Sequence, residues 1–213
     1  AGTAITSGSN NIGIGADSLL VNNTGDNNTV IGTNAMRTNT TGHKNVAVGS
    51  GALQANTTAG NSTAVGNGAL TTNTTGAGNT AIGYRALVLN TTGASNTALG
   101  YDAMDHNTTG AENVSVGANS LELNTTGASN VAMGWKALAS NTTAASNTGL
   151  GNEALRTNTT GVTNTAVGAR SLYVNTTGAS NVAVGTYALD ANTTGARNVA
   201  TGVHALGGNT TGA

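Results

Sequence analysis

Glycine returns every 17 residues along almost the whole chain, at Gly15, Gly32, Gly49, Gly66, Gly83, Gly100, Gly117, Gly134, Gly151, Gly168, Gly185 and Gly202. Around each stands the same string, roughly N-[TV]-A-[VI]-G-x-x-A-L-x-x-N-T-T-G-A-x. A strict short period marks a repeat architecture in which each unit is one turn of a solenoid stacked on its neighbours. That pattern removes most enzyme folds and leaves a long, regular array.

Counted from Asn11, twelve coils fill residues 11–213, the last of them one residue short. Residues 1–10 carry the tail of one more, with Gly8 aligned to Gly25 and Gly42 in the turn. The chain reads as a single solenoid domain over residues 1–213, without linker, second domain or shift in composition. No atypical coil caps either end, although solenoids need caps to hide terminal strand edges. The expectation is therefore a segment of a longer fibre, or one subunit of an end-to-end filament. At about 4.8 Å per stacked coil the segment would be a rod of roughly 60 Å.

Within residues 79–95, NTAIGYRALVLNTTGAS, the stretch Asn79 to Gly83 alternates with β period. Thr80 and Ile82 point one way, Ala81 and Gly83 the other. The Ile82 column is almost wholly aliphatic (Ile14, Ile31, Val48, Val65, Leu99, Val116, Met133, Leu150, Val167, Val184), and the Thr80 column mixes Thr with Val and Ile. The Ala81 column is small in nearly every coil, as a narrow interior requires. A second short extended piece, Ala86-Leu87-Val88-Leu89, is expected to place the column Leu19, Met36, Leu53, Leu70, Leu87, Met104 and Leu121 in that interior.

The turn is N-T-T-G. Asn suits places where a side chain must satisfy local backbone groups, and Gly supplies positive φ without steric cost. Gly93 and its equivalents are expected in the left-handed conformation, with Ala59 and Ala144 as two replacements. Asn90 and its equivalents should stack as an amide ladder, and Asn79 and its equivalents as a second, broken where Ser62 stands in. One buried Leu per coil does not offset the backbone entropy of ordering a whole repeat. The Thr80 and Ile82 columns must also be buried, yet they face away from their own coil. Self-association along that stripe is the simplest solution.

The strings NTAIGYRAL, NVSVGANSL and NTAVGARSL resemble the repeat motif of YadA-like heads in trimeric autotransporter adhesins and related bacteriophage tail-fibre and surface-fibre proteins. The resemblance covers the full chain, once per coil. It implies a left-handed parallel β-roll, a homotrimer with the Val/Ile column at its centre, and an extracellular place on a cell surface or virion. Two departures stand out. The N-T-T-G turn lengthens the repeat, and no segment resembles the family's neck, coiled-coil stalk or membrane anchor.

Charged residues are 7% of the chain, aromatics 2%, and the net charge is −1, which argues against a nucleic-acid surface. Cysteine is absent, so no disulfide framework or cysteine-ligated zinc site exists, and no apolar run is long enough to span a membrane. The histidines His43, His106 and His204 share no column. The acidic residues are Asp17, Asp26, Asp102, Asp105, Glu112, Glu122, Glu153 and Asp190, of which Asp102 and Asp105 near His106 come closest to a constellation. They read as solvated variable positions, since a metal needs three or more converging ligands. No catalytic, cofactor-binding or metal-binding residue is assigned.

Every N-T-T is formally an N-glycosylation acceptor, but a ladder Asn is closed to a glycan. Trp135, Tyr84, Tyr101, Tyr173 and Tyr187 fall at variable positions expected to face solvent. Two roles remain for such a chain. The first is a self-associating structural or adhesive fibre segment. The alternative is ice binding through regular Thr rows, of which Thr40 or Thr41 and their equivalents supply one.

Overall fold

The computed structural model describes residues 7–212. Residues 1–6 of the N-terminal partial coil, and the last residue of the final coil, lie outside the described residues. The chain divides into two compact units between Thr109 and Gly110. The first holds β1 (Ile12–Ile14), β2 (Thr29–Ile31), β3 (Val46–Val48), β4 (Thr63–Val65), β5 (Thr80–Ile82) and β6 (Thr97–Leu99). The second holds β7 (Val114–Val116), β8 (Val131–Met133), β9 (Thr148–Leu150), β10 (Thr165–Val167), β11 (Val182–Val184) and β12 (Val199–Thr201).

Within each unit successive strands pair in parallel, each residue with the one 17 positions on. Thr80, Ala81 and Ile82 meet Thr97, Ala98 and Leu99 in the first unit. Val131, Ala132 and Met133 meet Thr148, Gly149 and Leu150 in the second. Hydrogen bonding between coils continues outside the strands: Arg85 N–H donates to Asn67, Leu87 N–H to Ala103 and Thr91 N–H to Thr108, at 2.9–3.0 Å. Much of the coil's backbone is thus satisfied by its neighbours, while Ala86, Val88 and Asn90 N–H donate within the coil. Each unit is an all-β parallel solenoid, and no helix among the described residues is long and apolar enough to cross a membrane.

The strand alternation places the middle residue inside. Ala47, Ala64, Ala81 and Ala98 are fully buried, as are Ala132, Ala166 and Ala183, and the Leu87 column faces them in the same interior. Their small size follows from the narrow gap. A methyl group on Gly149 would meet the Ala154 carbonyl oxygen at 3.3 Å and Leu138 Cγ at 3.4 Å, so little room is left. Ser115 is the polar exception, and its hydroxyl donates to the Ser120 carbonyl at 2.8 Å.

The second side of the coil differs from expectation. Residues 86–89 form turns, not an extended piece. Each coil carries three residues with left-handed φ, represented by Arg85 (53°), Leu87 (53°) and Ser95 (59°). The inward turn of the leucine side chain comes from this bend. It also explains a restriction in the column: Leu and Met fill it throughout, and Val and Ile never appear. A β-branched side chain in this conformation is strained, whereas an unbranched Cβ tolerates it at moderate cost.

Leu87→Val should therefore cost more than its lost methylene, about 1–3 kcal/mol beyond an ordinary core trimming, while Leu87→Met stays within about 1.5 kcal/mol. Hydrogen-exchange protection of the amides in coils flanking Leu87 measures both. Equal loss in the two variants would contradict the conformational account.

Candidate interaction faces

The turn organises everything around it. Asn90 Nδ2 donates to the carbonyl of Gly93 at 2.9 Å and to Asn73 Oδ1, one coil back, at 2.8 Å. Asn79 Nδ2 donates to the same Gly93 carbonyl at 2.8 Å, and its Oδ1 accepts from the Asn96 N–H at 2.9 Å. The second unit repeats the scheme with Asn175 and Asn164 meeting at the carbonyl of Gly178. Both ladder columns are buried through most of their length. Ser62 keeps only part of the connection: its N–H is held by Asn45 Oδ1 and its hydroxyl accepts from Asn79 N–H.

The turn glycines are not left-handed, contrary to expectation. Glycine is favoured there because the next coil lies close. A methyl group on Gly76 would overlap the carbonyl oxygen of Gly93 and crowd Asn73 Oδ1 at 2.7 Å. Alanine stands there at Ala59 and Ala144. Beside Ala59 the Asn73 to Asn56 bond is 3.4 Å, against 2.8 Å from Asn90 to Asn73, while beside Ala144 the equivalent Asn158 to Asn141 bond is 3.1 Å. Positive φ belongs instead to the glycines that close each strand, such as Gly83 at 141°.

The outward strand positions form the first surface feature. Ile82 is 38% exposed, Leu99 44% and Met133 44%, while the Thr80 column beside them is half-buried or exposed. No outward strand position in either unit carries a charge. Six stacked coils and a three-residue strand give each unit a flat face of about 29 by 10 Å, roughly 300 Å², a size at which apolar patches on soluble chains acquire a role.

The paired threonines form the second. Thr40, Thr57, Thr74 and Thr91 each donate the side-chain hydroxyl to the backbone carbonyl of the equivalent threonine one coil on, at 2.9–3.1 Å. Thr41, Thr58, Thr75 and Thr92, next in sequence, are exposed. One column is locked into the stack and the other presents a single file of hydroxyls to solvent.

Charged side chains gather on the variable face, and here Asp102 and Asp105 are not solvated as expected, whereas Asp17 and Glu112 are exposed. Asp105 is buried, with His106 Nδ1 at 2.7 Å and Arg85 Nη2 at 3.5 Å; Asp102 lies 3.8 Å from Arg85 Nη1. Glu153, also buried, accepts from Arg156 Nη1 and from Arg170 Nε, both at 2.7 Å. The guanidinium of Arg170 is held above its usual range, first by that hydrogen bond and then by the carboxylate charge. Variable positions one repeat apart stand side by side, so opposite charges in neighbouring coils meet and cover one another.

The aromatics divide in two groups. Tyr84, Tyr101 and Trp135 are exposed, with the two tyrosine rings stacked at 5.3 Å and Lys136 Nζ 4.9 Å above the indole. Tyr173 and Tyr187 are half-buried: Arg156 donates to the Tyr173 hydroxyl, and Tyr187 stacks on His204 at 5.0 Å. His43 and His204 lie apart from the Asp102–Asp105–His106 group in sequence and in coil. Among the described residues no group of three or more His, Cys, Asp or Glu is placed to hold a metal ion.

The described residues present three kinds of face: a charge-free sheet face, a hydroxyl file and a variable face of paired charges. Comparison with protein-family models, curated proteins and solved structures finds no match to the chain.

The ladders make two predictions. Asn90→Ala should cost about 1–3 kcal/mol by leaving buried polar groups short of a partner. Asn90→Asp should cost at least as much, because a carboxylate has no N–H to donate to Gly93. Local amide exchange in the coil reports the loss. The folded chain should also take no glycan from an oligosaccharyltransferase at its N-T-T sequons, whereas the heat-unfolded chain should be modified, as read by intact mass.

Proposed function

We propose that the chain is a structural and adhesive extracellular fibre segment, on a cell surface or virion, that self-associates through its sheet face. The observation that carries this reading is the outward strand surface, which lacks any charge in either unit and leaves Ile82, Leu99, Met133 and Val184 more than a third exposed. A flat, regular, apolar sheet face of this kind gains free energy when covered by a second copy, because apolar area leaves water. The resemblance to YadA-like heads favours three chains around a common axis in a left-handed roll. No enzymatic activity belongs to this reading, and the partner is the chain itself.

Ice binding is the second reading, and the file of exposed threonines favours it. Thr41, Thr58, Thr75 and Thr92 repeat at the coil spacing, and the backbone N–H of each donates to the next coil. The sheet face fits it less well, since its more exposed column is aliphatic.

Sedimentation of the chain and of variants carrying Ile31→Thr, Ile82→Thr and Leu99→Thr separates the two. The fibre reading expects a multiple of the single-chain mass that falls stepwise as the column becomes polar. A monomer at all concentrations, with ice shaping and a thermal-hysteresis gap that Thr75→Val and Thr92→Val abolish, would install the second reading in its place.

A further inference from the structure

The sheet face repeats with every coil, which leaves a problem for any self-association along it. Sliding one copy by a coil preserves most of the buried contact, so a periodic face does not define its own register. What differs from coil to coil stands at the two edges of the face. The leading edge is the residue two before each strand: Lys44, Asn61, Gly78, Ser95, Glu112, Ser129, Ser146, Thr163, Ser180 and Arg197 among them. The trailing edge is the residue just past the closing glycine, as in Ser50, Tyr84, Tyr101, Ala118, Trp135 and Val203.

In the six coils that carry a large residue at one edge, the other edge is short. Every aromatic at the trailing edge has a minimal residue at the leading edge: Tyr84 with Gly78, Tyr101 with Ser95, Trp135 with Ser129. Every long charged residue at the leading edge has a short one at the trailing edge: Lys44 with Ser50, Glu112 with Ala118, Arg197 with Val203. The two edges of one coil do not touch each other, although along the leading edge Ser129 Oγ donates to Glu112 Oε2 of the preceding coil at 3.3 Å. The two edges of a coil flank the strand, up to about 20 Å apart along an extended backbone. Nor does backbone conformation impose the small residues, since Ser95, Ser129, Lys44, Glu112 and Arg197 share left-handed φ of 56–60°.

We infer that the edges meet between copies, and that Tyr84, Tyr101 and Trp135, packing over Gly78, Ser95 and Ser129 of a neighbouring copy, set the axial register of the assembly. This rests on the self-association proposed above. Rotation about an axis parallel to the stack brings the trailing edge of one copy against the leading edge of the next, at the same coil, whether two chains or three close the ring. An exposed aromatic seated over a small residue is the usual anchor of an interface, and an offset by one coil sets Tyr101 against Glu112 in place of Ser95.

Cysteine cross-linking tests the register, because the chain contains no cysteine of its own. Ser146→Cys is combined in turn with Asn152→Cys, Ala169→Cys and Thr186→Cys, which step the trailing edge by none, one and two coils. Oxidation should give covalent oligomers in the first combination, few in the second and none in the third. Best yield in the second or third overturns the register. No cross-link in any combination, with an oligomeric mass in sedimentation, overturns the edge contact while leaving self-association standing. A monomeric mass removes both.

A second pair of variants tests the packing itself. Ser95→Lys places at this edge a residue type already present there as Lys44, beside Glu112 of the next coil with which it can pair. It should weaken association at least tenfold, and Tyr101→Ala in the same chain should restore most of that loss. Persistence of the full defect in the double variant would mean that charge, not the tyrosine opposite, is responsible, and the inference would fail.

Discussion

The carbonyl oxygen of the turn glycine, held by two buried asparagine amides, is the interaction on which the rest of the coil depends. A primary amide removed from water must find partners for its N–H groups and its oxygen, and each failure costs on the order of 1–3 kcal/mol. In the coil of residues 79–95 the amides of Asn79 and Asn90 both end on the Gly93 carbonyl, and each is also tied to an adjacent coil. The separation between repeats is therefore not free to vary. One residue more or fewer would carry an amide past its carbonyl and leave both unsatisfied. Glycine follows from the same closeness, because a methyl group in that place would overlap the neighbouring backbone.

With the spacing held, every choice of side chain acts through a column. A single apolar strand position becomes a stripe, and a single threonine becomes a file of hydroxyls. The same stacking works on charge. An acid at a variable position stands beside the equivalent residue of its neighbour, so Glu153 finds Arg170 one repeat away and Arg156 within its own coil. Such contacts come from coil-specific residues laid over a common frame, and they let carboxylates sit in places where isolated ones would be unstable.

The strand alternation, the small interior residues, the leucine column and both amide ladders were legible in the sequence. Each is a direct consequence of β period or of a repeated polar residue type. The bend that delivers Leu87 was not, because a buried leucine reads the same whether the backbone under it is extended or left-handed. The signal lay in what the column omits: valine and isoleucine, common in the strand columns, never occur there. The turn glycine was assigned to its usual role of positive φ, whereas it answers to proximity between coils, which no single repeat displays. Asp102, Asp105 and Glu153 looked solvated for a similar reason. Their partners, Arg85 and Arg170, are distant along the chain and adjacent only once the coils are stacked.

The amide ladder also constrains how such a chain changes over generations. A loop in an ordinary domain absorbs insertions of any length at little cost. Here an insertion of a few residues within a coil breaks two ladders at once, while gain or loss of a complete repeat leaves every hydrogen bond with an equivalent donor and acceptor. Length is thus open to variation only in whole-repeat steps. The reach of such a stack becomes a quantity set by the number of repeats.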